Sequence, residues 1–137
     1  MTHRYHPQFK KNRQFMENEG QEYLTSQTWW PKTQAYPPGW CAPTSSLVSK
    51  MTGLYLVSGF YKVGEEELPH VWNYDPYNNL EIDLTLDQFS ITSQKIYLGK
   101  EGYVTRKRHL GLETLPTLDR ITEFLLSEYK KFNRITR

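Results

Sequence analysis

One cysteine, Cys41, stands among 137 residues, together with four histidines, His3, His6, His70 and His109. A thiol used as a nucleophile needs a base to take its proton, and the base needs a third group to fix its tautomer. Cys41 opens the run CAPTSSLVSKMT, which reads as a helix over 41–52 with Pro43 in its first turn and Gly53 as C-terminal cap. That places the thiol at or just before a helix N-terminus. There the partial positive charge favours a thiolate, and free backbone amides can bind a developing oxyanion. His3 and His6 lie in a segment read as a tail, and His109 ends the basic run RKRH. Only His70 sits in an apolar, strand-like segment, between Pro69 and Val71. Asp83 is flanked by Ile82 and Leu84, where an acid is costly unless it has a partner. A hairpin turning near 76–77 sets residues 70 and 83 opposite one another and supplies that partner. Each of the three has an ordinary structural explanation when taken singly. Their order, Cys at a helix start, His on a strand and Asp on the next strand, is more informative.

The elements that must hold these residues are legible in outline. A helix is expected over about 7–19, stopping near Gly20 and preceded by a flexible tail over 1–8. Residues 25–40, TSQTWWPKTQAYPPGW, carry Pro31, Pro37, Pro38 and Gly39 and read as an irregular loop rich in aromatics: Trp29, Trp30, Tyr36 and Trp40. Strands are expected over 54–63, with a bend at Gly59, and over 68–74 and 80–84, the last two joined by the DPYNN turn. TLDQF at 85–89 leaves the sheet. A strand pair is expected around 96–98 and 103–104, and RKRH at 106–109 as solvated surface. From Pro116 a helix presents Leu118, Ile121, Phe124, Leu125, Tyr129 and Phe132 along one face.

Composition narrows the class. The length suits a single domain over 1–137. The mean hydropathy of -0.73 is polar, but 15% aromatic residues argue against disorder. A net charge of +2 is too balanced to indicate a nucleic-acid binder. No apolar run approaches the ~20 residues of a membrane helix, and MTHRYHPQFKKNR has no signal-peptide core, so a cytoplasmic protein is expected. A single cysteine excludes an intramolecular disulfide and a Cys-rich zinc site, and neither metal nor cofactor is expected.

The Cys, His, Asp order is that of the papain-like superfamily, and HVWNYDPYNNLEIDLT resembles the His-x-Trp … Asp-x-Thr hairpin of its transglutaminase-like branch. Pro38-Gly39-Trp40-Cys41-Ala42-Pro43-Thr44, then Gly53, His70-Val71-Trp72-Asn73, Glu81-Ile82-Asp83-Leu84-Thr85 and Asp87-Gln88-Phe89, resemble the YunG-type family of small bacterial proteins. The similarity spans about residues 25–90. It implies an α+β papain-like core, with the Cys-bearing helix packed on a small antiparallel sheet, and a Cys41-His70-Asp83 triad acting on a peptide, protein or other amide. Peptidase, amidase, deamidase and transglutaminase chemistry all share that scheme. Where the family has Gln before its cysteine this chain has Trp40, so an oxyanion or positioning role is lost from Trp40 or moved, Gln34 being a substitute. Trp72 is expected in the core and Asn73 on the His70 face, orienting His70 or touching substrate. Trp30 and Tyr36 are expected along a substrate cleft. The competing reading is a catalytically inactive binding protein on the same fold, such as a phage or mobile-element effector, with Trp40 plugging the site and the aromatic loop as its contact surface.

Overall fold

The computed structural model describes residues 3–27, 40–89, 92–109 and 116–135. The chain is α+β. Helix α1 (His6–Phe15) runs through a π-helical turn (Met16–Gly20) into α2 (Gln21–Thr25). Helix α3 (Cys41–Thr52) is followed by strands β1 (Tyr55–Val63), β2 (Glu66–Asp75) and β3 (Leu80–Asp83). A 3-10 turn (Leu86–Phe89), β4 (Tyr97–Gly99), β5 (Tyr103–His109) and helix α4 (Pro116–Ile135) complete it.

The first helix differs from expectation at both ends. It starts at His6, with Pro7 in its first turn, and His3 docks its Nε2 on Asp75 at 2.6 Å, so residues 3–8 are not a loose tail. Gly20 does not stop it. The backbone there is right-handed helical, and a Cβ would come within 3.0 Å of the Phe15 ring and 3.1 Å of the Met16 sulfur. Gly20 is therefore a packing choice rather than a terminator. Phe15, Met16 and Leu24 bury against Trp40, Leu47, Leu125, Tyr129 and Phe132 to form the helical core. On α4 the stripe is Ile121, Leu125, Tyr129 and Phe132. Phe124, expected on that face, is 43% exposed, because it stands one position, about 100°, round the helix from Leu125.

Helix α3 forms as read. Gly53 takes φ +77°, and its amide bonds back to the Ser49 carbonyl at 2.8 Å. Beside Leu47 and Val48, its buried face carries short polar side chains. Ser46 Oγ meets Thr122 Oγ1 of α4 at 2.6 Å, and Ser45 Oγ donates to the Val71 carbonyl at 3.1 Å. Side chains this small let α3 lie close on both β2 and α4.

The sheet has the order β4-β3-β2-β1-β5, with neighbours antiparallel. The expected strand pair is present as β4 and β5, but the two do not pair with each other: they are opposite edges. RKRH belongs to β5 rather than to a surface loop. Four strand spacings in a flat sheet are about 19 Å. The chain from Gly99 to Tyr103 can span at most about 14 Å. The sheet must therefore curl to bring its edges together. Gly102 makes the connection possible, with φ +90° and a backbone so close to Tyr61 that a Cβ would lie 2.5 Å from the ring. A register shift between Ser58 and Phe60 marks the expected irregularity at Gly59. One face of the sheet packs on the helices through Ile82, Leu54 and Leu84 against Phe9 and Val48. The other face, inside the curl, holds Val57, Trp72 and Tyr74.

Candidate active site

Cys41 is the first residue of α3 and half-buried, and it lines a cleft of about 450 Å³ with Ser58, Gly59, Phe60, Pro69, His70 and Val71. His70, 3% exposed, lies mid-strand on β2. Its Nε2 donates to Asp83 Oδ2 at 2.6 Å, and both side chains are fully shielded from solvent. The hairpin register differs from the expected one by two residues. Asn73 pairs with Ile82 and Asp75 with Leu80, which centres the turn later and sets Asp83 diagonal to His70. A slip of two preserves the face, since side chains alternate with period two, and the diagonal distance is within reach of an imidazole.

Asp83 is a buried anion with every lone pair used. Oδ2 accepts from His70 and from the Tyr103 hydroxyl at 2.8 Å. Oδ1 accepts from the Thr85 amide at 2.9 Å and its hydroxyl at 3.3 Å. Those four bonds offset the cost of burying the charge. Burial pulls the His70 pKa down. Against it act the hydrogen bond and charge of Asp83, then those of Cys41, and together they push it up to about 9. Cys41 lines the same cleft as His70 and acts on its pKa, so the two side chains are neighbours. The other ring nitrogen, Nδ1, lies 3.2 Å from Gln88 Nε2. A carboxamide suits either state of that nitrogen: its NH2 donates to a bare Nδ1, and turned over, its oxygen accepts from Nδ1–H.

Gln88 is held by α1. Arg13 forks onto Asp87 with bonds of 2.9 and 2.8 Å and donates to the Leu84 carbonyl and Glu17 at 2.6 Å each. A helical cation thereby fixes the short turn whose next residues are Gln88 and Phe89. Phe89 stands edge-on to the His70 ring at 5.0 Å and stacks on Tyr61 at 5.6 Å. Trp72 lies alongside His70 at 5.7 Å and is itself fixed by donating to Glu81 at 3.0 Å.

The remaining expected site residues fall elsewhere. Trp40 is fully buried in the helical core, packed with Phe15, Leu47 and Leu125, so its side chain anchors the start of α3 and neither lines nor plugs the cleft. Asn73 is on the opposite face from His70, its amide donating to the carbonyls of Ser45 at 2.9 Å and Tyr55 at 3.3 Å. The two-residue period makes Trp72, not Asn73, the face-mate of His70. Asn73 instead ties β2 to α3 and so fixes the Cys41 helix against the His70 strand. Gln34, Trp30 and Tyr36, like Trp29, lie outside the described residues. Three residues went unassigned in the sequence. Thr85 had a local signal, since an aspartate two residues before an amide commonly turns back to bond it. Gln88 was marked only by the resemblance, within Asp87-Gln88-Phe89, and Tyr103 had no signal, because each reaches the site through tertiary contacts.

Among the described residues, no group of three or more His, Cys, Asp or Glu side chains is placed to hold a metal ion, and no helix is long and apolar enough to cross a membrane. No protein-family model matches the chain, and it shows no significant similarity to a curated protein or to a solved structure.

Proposed function

We propose that the protein is a cysteine-dependent acyl-transfer enzyme with a papain-like, transglutaminase-like site acting on an amide. The observation that carries this reading is the connected chain of Cys41, His70 and Asp83, with His70 Nε2 committed to Asp83 and the thiol a neighbour of the imidazole in the cleft. The resemblance of residues 38–44, 70–73 and 81–89 to YunG-type proteins supports the same assignment.

With Nε2 held by Asp83, Nδ1 is the nitrogen that exchanges a proton with Cys41, giving up its contact with Gln88 to do so. Because the His70 pKa is raised to about 9, the proton that Cys41 and His70 share rests on Nδ1 ahead of the attack, and the sulfur attacks the carbonyl carbon as a thiolate beside the imidazolium. The C=O electron pair moves onto oxygen, and the backbone amide of Cys41, at the first turn of α3, stabilises the oxyanion. The C–N bond breaks as Nδ1–H passes its proton to the leaving amine, and a thioester on Cys41 remains. Water or an amine then attacks that thioester, again deprotonated by His70. The acyl group leaves as an acid or a new amide, and the Cys41 thiol is restored. Asp83 keeps its charge throughout, holding the ring and stabilising its cationic form. Trp40 lies in the helical core and does not plug the cleft, which favours the acyl-transfer reading over that of an inactive binding protein.

The test is alkylation of Cys41 by iodoacetamide in the folded protein at pH 7, with and without His70→Ala. Rapid alkylation that slows at least tenfold without His70 is expected. Alkylation seen only on denaturation contradicts the proposal.

A further inference from the structure

We infer that Tyr103 is a positioning residue of this site: by donating its hydroxyl to the Asp83 oxygen that also receives His70 Nε2, it governs how firmly Asp83 holds the imidazole. The inference rests on the acyl-transfer reading for its role, though not for its physical basis.

Asp83 Oδ2 carries two donors, His70 Nε2 at 2.6 Å and the Tyr103 hydroxyl at 2.8 Å. Donors sharing one carboxylate oxygen compete for its charge. The phenol disperses part of the negative charge that would otherwise act wholly on the ring. Burial, followed by the charge and hydrogen bond of Asp83, holds the Tyr103 pKa far above its ordinary value. The hydroxyl is therefore always a donor and never a second anion.

Its position is over-determined. The ring meets Trp72 at 4.8 Å and Tyr61 edge-on at 4.9 Å, with Tyr97 at 6.1 Å. Gly102 precedes it in the turn that closes the curled sheet. Tyr103 thus arrives from the edge opposite β4, and curling of the sheet is what completes the Asp83 site. The ionisable and charged groups facing this network are Asp83 and Glu81 from β3, Tyr97 from β4, Tyr61 from β1 and Cys41 from α3. Asp83 is the one bonded to both His70 and Tyr103.

The experiment follows the His70 ring by NMR titration in the full chain. Tyr103→Phe leaves more of the Asp83 charge on His70, so the ring should lose its proton at a pH at least half a unit higher. A 3-fluorotyrosine at position 103, a stronger donor of nearly the same shape, should move that pH down, and it covers the case in which the phenylalanine variant does not fold. The His70 limb of the alkylation pH profile should move in the same direction. A mere capping role for the buried carboxylate would lower stability and leave both readouts in place. Shifts of less than about 0.2 in both variants overturn the inference. Because the titration needs no reactive thiol, its outcome is separable from that of the acyl-transfer reading.

Discussion

The buried His70–Asp83 pair makes the stability of the fold depend on pH with a predictable sign and size. His70 moves from its ordinary value of 6.5 to about 9 in the folded chain. At 1.36 kcal/mol per pH unit, that corresponds to roughly 3 kcal/mol of preferential stabilisation of the imidazolium. The folded value is the raised one. The contribution is therefore fully present below about pH 6.5 and is lost as pH rises through about 9. The informative perturbation is the double substitution His70→Gln with Asp83→Asn, which keeps a neutral hydrogen-bonding pair where single changes strand a buried partner. Urea unfolding at pH 6 and pH 9.5 reads the effect. The natural chain should lose about 3 kcal/mol between the two, and the double variant less than about 1 kcal/mol from the same interval. Equal pH dependence in the two proteins would assign the loss to groups other than the His70–Asp83 pair.

Two further outcomes follow from the elements that hold the site. Arg13→Met removes the 5%-exposed guanidinium from Asp87, Glu17 and the Leu84 carbonyl; it should cost about 3–5 kcal/mol in urea unfolding, and the broadened Gln88 side-chain amide signal should report the loosened 3-10 turn. Gly53→Ala places a Cβ in open space at φ +77°, so it should cost only the backbone term of about 1–2 kcal/mol, visible as a lower unfolding midpoint with an unchanged denaturant slope.

Local signals in the sequence were sufficient for α3, its Gly53 cap, the β2–β3 hairpin and α4, because each is set by neighbours within a few residues. Cys41, His70 and Asp83 were legible for the same reason: a lone cysteine at a helix start, a histidine in an apolar strand and an aspartate between Ile82 and Leu84 are all local anomalies. Long-range features were not. The curl that unites β4 and β5 as opposite edges follows from a three-residue connection around Gly102, and its consequence, Tyr103 on Asp83, depends on four other strands being in place. Arg13 looked like one more cation in a basic segment, yet it is the clamp for the turn carrying Gln88. The hairpin register shows how much latitude a correct face leaves: a two-residue slip moved every cross-strand pair and still delivered His70 to Asp83. Trp40 next to Cys41 shows the reverse. Adjacency in sequence at a helix start sends two successive side chains in different directions, one to the helical core and one to the cleft.

If Cys41 takes and passes on an acyl group with His70 as its proton partner, the acyl-enzyme is directly observable. Intact-mass measurement after mixing the protein with an activated aryl ester tests this most directly. A single acyl adduct on Cys41 is expected at pH 7; it should disappear on adding an amine, fail to form in Cys41→Ala, and form at least tenfold more slowly in His70→Ala and Asp83→Asn. An adduct that forms at the same rate with and without His70, or no adduct on the folded protein at all, would contradict the acyl-transfer reading.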